Sequence, residues 1–162
     1  MNYYGTNDTD IETVDAYDNA YFFGGNDLAI KSTGSGWVHG GSGTDWLSMY
    51  HSPFSVVVDM NAQTVTSGGS SLDFKFTGFE KIIGSNKGNK IYGADAAETL
   101  VGGAGYDQIR GGGGNDVIQG RGGSDRLEGG AGYDELDGGA GFGRIRQPRH
   151  HELSTRQCVG RS

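Results

Sequence analysis

The sequence predicts an all-β fold: a parallel β-roll, a β-solenoid of nonapeptide repeats interrupted by a β-hairpin-like insert. Two observations predict it. From Gly102 to Asp137 four nine-residue units follow one another in phase, GGAGYDQIR, GGGGNDVIQ, GRGGSDRLE and GGAGYDELD. Each has Gly at its first and fourth positions, Asp at its sixth and Ile or Leu at its eighth. Three have Gly at the second, where the third unit has Arg121. The other observation is composition: 32 of 162 residues are Gly and only 34% are hydrophobic. A flexible glycine linker would match the composition but not a periodic aliphatic residue.

Each position in the unit has a physical reason. Glycines permit the tight turn of the first half, in which several carbonyl oxygens point the same way. The Asp adds a hard carboxylate oxygen, and carbonyls with carboxylates are the donors Ca²⁺ prefers. Positions seven to nine are expected to form a three-residue strand whose middle side chain points inward. Ile109, Ile118, Leu127 and Leu136 then stack as a core. Gln108, Arg110, Gln119, Arg126, Glu128 and Glu135 face solvent. One aliphatic per nine residues makes a thin core, and thin cores need a staple. Cys158 is the only cysteine, so a metal and not a disulfide is expected. Nonads of this form carry the signature of a Ca²⁺-binding parallel β-helix.

The units resemble those of the RTX (repeats-in-toxin, haemolysin-type) calcium-binding family. The resemblance implies that two nonads make one coil, with several Ca²⁺ ions between turns two units apart. Asp107 and Asp125 would then share one edge, and Asp116 and Asp134 the other. The implied ligand set is those four carboxylates with Gly102, Gly103, Gly105, Gly111, Gly112, Gly114, Gly120, Gly122, Gly123, Gly129, Gly130 and Gly132 of their turns. Coils would lie about 4.8 Å apart, and carboxylates stacked that closely repel unless cations lie between them.

Upstream the pattern weakens. Met1–Ala20 matches the frame only at Asp18 and Ala20, as a decayed repeat or cap. Phe22–Ser48 is FFGGNDLAI, KSTGSGWVH and GGSGTDWLS. Asp27 and Asp45 stand at sixth positions and join the candidate metal ligands, while Gly36 takes the place of an Asp. Residues 1–48 are therefore an N-terminal cap with a short degenerate roll. Residues 49–83 break the repeat. SVVVDM from Ser55 and LDFKFTGFEKII from Leu72 suggest strands. A β-rich hairpin covering the roll's flank is expected, with Phe74, Phe76 and Phe79 as its contacts. RTX proteins commonly carry a similar interruption. The repeat phase slips by one residue across it. Residues 84–146 are the main roll. Its first two units have Asn89 and Glu98 at the sixth position, where weaker or no metal binding is expected, and its last has Gly143 there. Residues 147–162 form a basic tail, expected to be disordered. It does not resemble the secretion signal usual in the family.

Net charge is −7. Five Arg and one Glu lie from Gly143 onward, so the body is strongly acidic. That suits divalent cations and argues against nucleic acid. No transmembrane run is present, and MNYYGTNDTD has no basic-then-apolar order of a signal peptide.

Other constellations carry less. His150, His151 and Glu152 lack the helical HExxH arrangement of zinc proteases. His39 and His51 have no partner at ligand spacing, and Thr44, Asp45 and Ser48 form no triad. No enzyme activity is expected. Trp37, Trp46, Tyr106 and Tyr133 fit either a carbohydrate-binding row or, for the Trp pair, packing against the insert. The expectation is a secreted, extracellular calcium-binding module that folds on binding Ca²⁺ and serves a structural or secretion-linked role. The alternatives are a lectin-like module for polysaccharide or cell-surface binding, or a fragment of a larger RTX exoenzyme or toxin.

Overall fold

The structure, a computed structural model, describes residues 1–15, 19–68, 72–141 and 143–147. Asp18 and the tail with His150, His151, Glu152 and Cys158 lie outside the described residues. The described chain contains strands and no helix, so no helix is long and apolar enough to cross a membrane.

The strands in chain order are β1 (Asn2–Tyr4), β2 (Ile11–Thr13), β3 (Asn19–Tyr21), β4 (Gly24–Gly25), β5 (Leu28–Ile30), β6 (Trp37–His39), β7 (Ser42–Gly43), β8 (Trp46–Ser48), β9 (Val57–Asp59) and β10 (Thr64–Thr66). Then come β11 (Phe74–Thr77), β12 (Lys81–Ile83), β13 (Lys90–Tyr92), β14 (Thr99–Ala104), β15 (Gln108–Gly113), β16 (Val117–Gly122), β17 (Arg126–Ala131), β18 (Glu135–Asp137) and β19 (Arg144–Arg146). They stack as a solenoid of about 8 turns. One face is a ten-stranded sheet in the order β1-β3-β6-β11-β10-β9-β13-β15-β17-β19. The other is a seven-stranded sheet, β18-β16-β14-β12-β8-β5-β2. Successive nonads alternate between the sheets, and within a sheet each residue pairs in parallel with the one two nonads on: Ile109 with Leu127, Ile118 with Leu136.

That register explains the core. Eighth-position side chains point between the sheets, and Leu47, Ile82, Ile91, Leu100, Ile118 and Leu127 are fully buried. Each buried aliphatic of this size contributes about 1.5–3 kcal/mol. In the regular block the strands are longer than the expected three residues. β14 to β17 each run for six, because the glycines after each aliphatic keep pairing, Gly112 with Gly130 and Gly103 with Arg121. Without side chains, the turn backbones of adjacent coils approach closely enough to extend the ladder.

The insert does not lie over the flank. Its strands β9, β10 and β11 are spliced into the ten-stranded sheet, β11 parallel to β6 and β9 parallel to β13. β10 runs antiparallel between them. An unpaired sheet edge would leave a row of N–H and C=O groups unmet, and splicing removes it. Phe74 and Phe76 point inward from β11, and both are buried with Val58, Val65 and Phe79. On the other face only β12 is added, pairing β8 on one side and β14 on the other.

Candidate metal centre

The sixth-position residue immediately precedes each strand, so stacking brings these residues into files along the two edges. On the edge beside the ten-stranded sheet, the Asn89 N–H donates to Asp107 Oδ1 at 2.7 Å and the Asp107 N–H to Asp125 Oδ1 at 2.9 Å. On the other edge the Glu98 N–H donates to Asp116 Oδ1 at 3.0 Å and the Asp116 N–H to Asp134 Oδ1 at 3.1 Å. The pairing of Asp107 with Asp125 and of Asp116 with Asp134 is the one the resemblance implies. The second file continues through the N-terminal half. The Asp10 N–H donates to Asp27 Oδ1 at 2.7 Å, the Asp27 N–H to Asp45 Oδ1 at 2.8 Å, and the Asp45 N–H to Glu80 Oε2 at 2.9 Å.

Asp27, Asp45, Glu80, Asp107, Asp116, Asp125 and Asp134 thus each spend one oxygen on the coil before them. The other oxygen divides the file into two kinds of site. In Asp27, Asp45, Asp107, Asp116 and Asp125, Oδ2 is buried and has no hydrogen-bond partner. An ionised oxygen buried without a partner costs several kcal/mol. Burial accordingly raises the pKa of Asp27, Asp45, Asp116 and Asp125, and pushes Asp107 up to about 6. In Asp10, by contrast, Oδ2 accepts the Thr6 N–H at 2.7 Å. In Glu98 both oxygens accept the Ala94 N–H at 3.2 Å, and burial, with the charges of Asp116 and Asp95 adding, raises its pKa to about 7. Asn89 is self-sufficient: its Nδ2 donates to Ser85 O at 2.9 Å, Lys87 O at 2.7 Å and Asp107 Oδ1 at 2.8 Å.

The first-position glycines show what the free oxygens face. A side-chain carbon on Gly102 would collide with Asp107 Oδ2 and meet Gly120 O; on Gly120 it would collide with Asp125 Oδ2 and meet Gly138 O. Gly111 sits in the same way between Asp116 Oδ2 and Gly129 O, and Gly129 against Asp134 Oδ2. Carboxylate and carbonyl oxygens from neighbouring coils therefore converge on a space that only glycine leaves open. Further along the turns Gly103, Gly112, Gly123, Gly130 and Gly132 lie against carbonyl oxygens of the coil before them, among them those of Gly105 and Gly114. Gly122 lies beside Ala104. Among the described residues no three His, Cys, Asp or Glu side chains cluster to hold a metal by themselves. A cation here must draw on backbone carbonyls, which is the donor set hard Ca²⁺ accepts. The residues fit the ion.

The model of the RTX calcium-binding nonapeptide repeat, in its form of 4 copies, matches residues 76–109, 92–127 and 119–141. Residues 76–141 are RTX calcium-binding repeats. The match implies calcium binding by this stretch. No curated protein matches the chain. The RTX match covers the edges of Asn89, Asp107 and Asp125 and of Glu80, Glu98, Asp116 and Asp134, while Asp10, Asp27 and Asp45 precede it.

Asp10 and Glu80 are further file members: a strict nine-residue count passes over Asp10, while counting nine back from Asn89 lands on Glu80 inside the insert. The count puts Thr9 at the sixth position, because a residue is missing before Asp27; Gly5, five residues before Asp10, is the signal that finds it. Glu80 is marked by Ile82 two residues on and by Gly84. The Trp residues pack against the insert. Lys75 Nζ lies 5.1 Å over the Trp37 ring and Lys81 Nζ 5.0 Å over that of Trp46. Trp37 also stacks on His39, whose ring stacks in turn on Tyr21. Tyr106 and Tyr133 stand exposed on the turns.

Proposed function

We propose that the chain is an extracellular module whose roll folds as it binds calcium, with a structural or secretion-linked role. The observation that carries this reading is the set of five buried, unpartnered Oδ2 atoms at Asp27, Asp45, Asp107, Asp116 and Asp125. Bound Ca²⁺ would supply the opposite charge those oxygens need. Asp107, Asp116 and Asp125, with turn carbonyls such as Gly120 O, Gly129 O and Gly138 O, would hold it. The chain's own work is to align the oxygens through the ladder of N–H donors and to keep water from them. Because an unfolded chain has no such alignment, binding free energy becomes folding free energy. Low calcium then favours an open chain suited to passage through an export channel, and calcium outside the cell favours the roll. A structural and not an enzymatic role is supported by the same arrangement: each carboxylate has one oxygen fixed by backbone and the other turned into a closed turn.

Circular dichroism during a calcium titration tests the reading. The β signal should rise with a midpoint in the range of about 0.1–1 mM typical of extracellular modules. Magnesium should not substitute at the same concentration. A spectrum unchanged up to ~10 mM calcium sinks the proposal.

A further inference from the structure

Outward residues of the main roll are sorted by face. On the ten-stranded sheet the seventh positions of β13, β15, β17 and β19 form the row Lys90, Gln108, Arg126, Arg144, and the ninth positions form Tyr92, Arg110, Glu128, Arg146. Five of these eight are cations and one is an anion. Lys90, Arg110, Arg126, Arg144 and Arg146 are all exposed. On the seven-stranded sheet the same coils present Thr99, Val117 and Glu135 with Val101, Gln119 and Asp137, which include two anions and no cation. An acidic chain thus carries a basic face.

The arrangement works against the fold. Arg126 stands directly opposite Arg144 in the ladder, and like charges so placed are destabilising. Among the described residues only Arg110 is ion-paired on this face, its Nε 3.2 Å from Glu128 Oε2. A local rule broken without compensation within the fold marks a functional surface. The face is also shaped. Tyr92, Gln108, Ile109, Arg110, Arg126 and Glu128 border a hollow of about 110 Å³, room for a carboxylate or hydroxyl group.

We infer that this face binds a linear, carboxylate-bearing polysaccharide laid along the solenoid axis. The inference rests on the calcium-folded roll proposed above, since only that fold aligns the rows. The track is two residues wide, about 7 Å across, and its charges repeat at the strand spacing of about 4.8 Å. An extended polymer with one carboxylate per sugar presents charge at a similar spacing along one line. A bilayer would engage a broad patch and gain from apolar side chains, of which these two rows hold only Tyr92. A duplex would bring its phosphates toward the acidic edges on either side of the track.

Two variants with equal change in net charge test it: Arg126→Gln on the basic face and Gln119→Glu on the opposite one. Binding to polygalacturonate is measured by calorimetry at saturating calcium, with dichroism on each sample to verify the roll. Arg126→Gln relieves the Arg126–Arg144 repulsion, so it should fold at least as well as the parent. It should bind about tenfold more weakly, the loss expected for a charge-assisted contact. Gln119→Glu should match the parent, and added salt should weaken binding in all three. Equal weakening by both variants, or no binding by a parent whose dichroism shows the roll, overturns the inference and leaves the folding proposal standing. A parent that gains no β signal with calcium fails the folding proposal, and the basic face falls with it. Tighter binding to phosphatidylserine vesicles or single-stranded DNA, lost in Arg126→Gln, assigns the face to those anions and overturns the polysaccharide. Neutral dextran should not bind.

Discussion

The two halves of the roll share a backbone plan and differ in what fills it. From β13 onward acids stand on both edges, Asp107 and Asp125 on one and Glu98, Asp116 and Asp134 on the other, around a core of single aliphatics. From β1 to β12 the described file in which each N–H meets the next carboxylate runs down one edge only, Asp10, Asp27, Asp45 and Glu80. The opposite edge has Gly36 and the insert. There the core thickens: Phe22, Met49, Leu72 and Phe76 are fully buried, and Phe74 and Phe79 nearly so. Lys31 is buried among them, its Nζ 3.3 Å from Val14 O and 5.5 Å from the Phe74 ring. The comparison teaches that a coil can be held by apolar area or by closing its turns with charge. Each half leans on a different one.

The largest expected effect follows from removing calcium. With a chelator, amides of β14 to β18 should lose hydrogen-exchange protection well before those of β8 to β12. Each site held at a hundred times its Kd adds about 2.7 kcal/mol, and the C-terminal half has the free oxygens of Asp107, Asp116 and Asp125 against those of Asp27 and Asp45, with less apolar core. Equal loss of protection in both halves would erase the contrast.

Acidity provides the next test. The folded pKa values of Asp107 and Glu98 are raised to about 6 and about 7 from 3.8 and 4.5. A carboxyl that holds its proton more tightly when folded favours the folded state at low pH. That advantage is full below about pH 4 and fades as pH rises to about 7. The calcium-free chain should therefore show more β signal by circular dichroism at pH 5 than at pH 8. With calcium the slope should reverse, since the ligands must be ionised to bind.

Asn89→Asp should sharpen the comparison at the boundary between the halves. Asn89 meets the turn carbonyls of Ser85 and Lys87 with its own amide, in the place where other turns present a free carboxylate oxygen. An Asp here removes those donors and should add one calcium ion to the count measured by mass spectrometry under native conditions. Without calcium the variant should be the less stable of the two by about 1–3 kcal/mol.

The smallest effect concerns Arg121, which holds the second position with φ of 74°. That backbone costs a non-glycine residue about 1–2 kcal/mol. Arg121→Gly should raise the melting temperature of the calcium-loaded roll by a few degrees. An unchanged or lower value would mean that the Arg side chain offsets its own strain.

The regular block was legible because every requirement of the coil falls on a fixed offset. Gly102, Asp107 and Ile109 announce turn, edge and core without reference to anything distant. The placement of Asp27 and Asp45 followed from the same offsets. What the sequence could not express was partnership made at long range. Nothing local says that LDFKF pairs with WVH, or that VVD skips ahead to lie beside KIY. The alternation of Phe74 and Phe76 indicates one buried face and does not say which sheet it belongs to. Nor could it show that Thr6 satisfies Asp10 while Asp27 is left open, because both are Asp ahead of a strand. The basic face was present in the letters, but only the register of β13 to β19 puts Lys90, Arg126 and Arg144 in one row.

The splice at β9 to β11 also governs how the roll can grow. Elsewhere space follows sequence, so coils can join or leave one at a time, each coupled to its neighbours. At the splice the order is reversed: the chain meets β9 first, yet β9 borders the coil that comes after, and β11 borders the coil that came before. None of the three can join the stack alone and leave it continuous. Growth from either end must take them up as a block. A solenoid otherwise built of repeated small steps thus contains one large one, and its two differently held halves communicate through it.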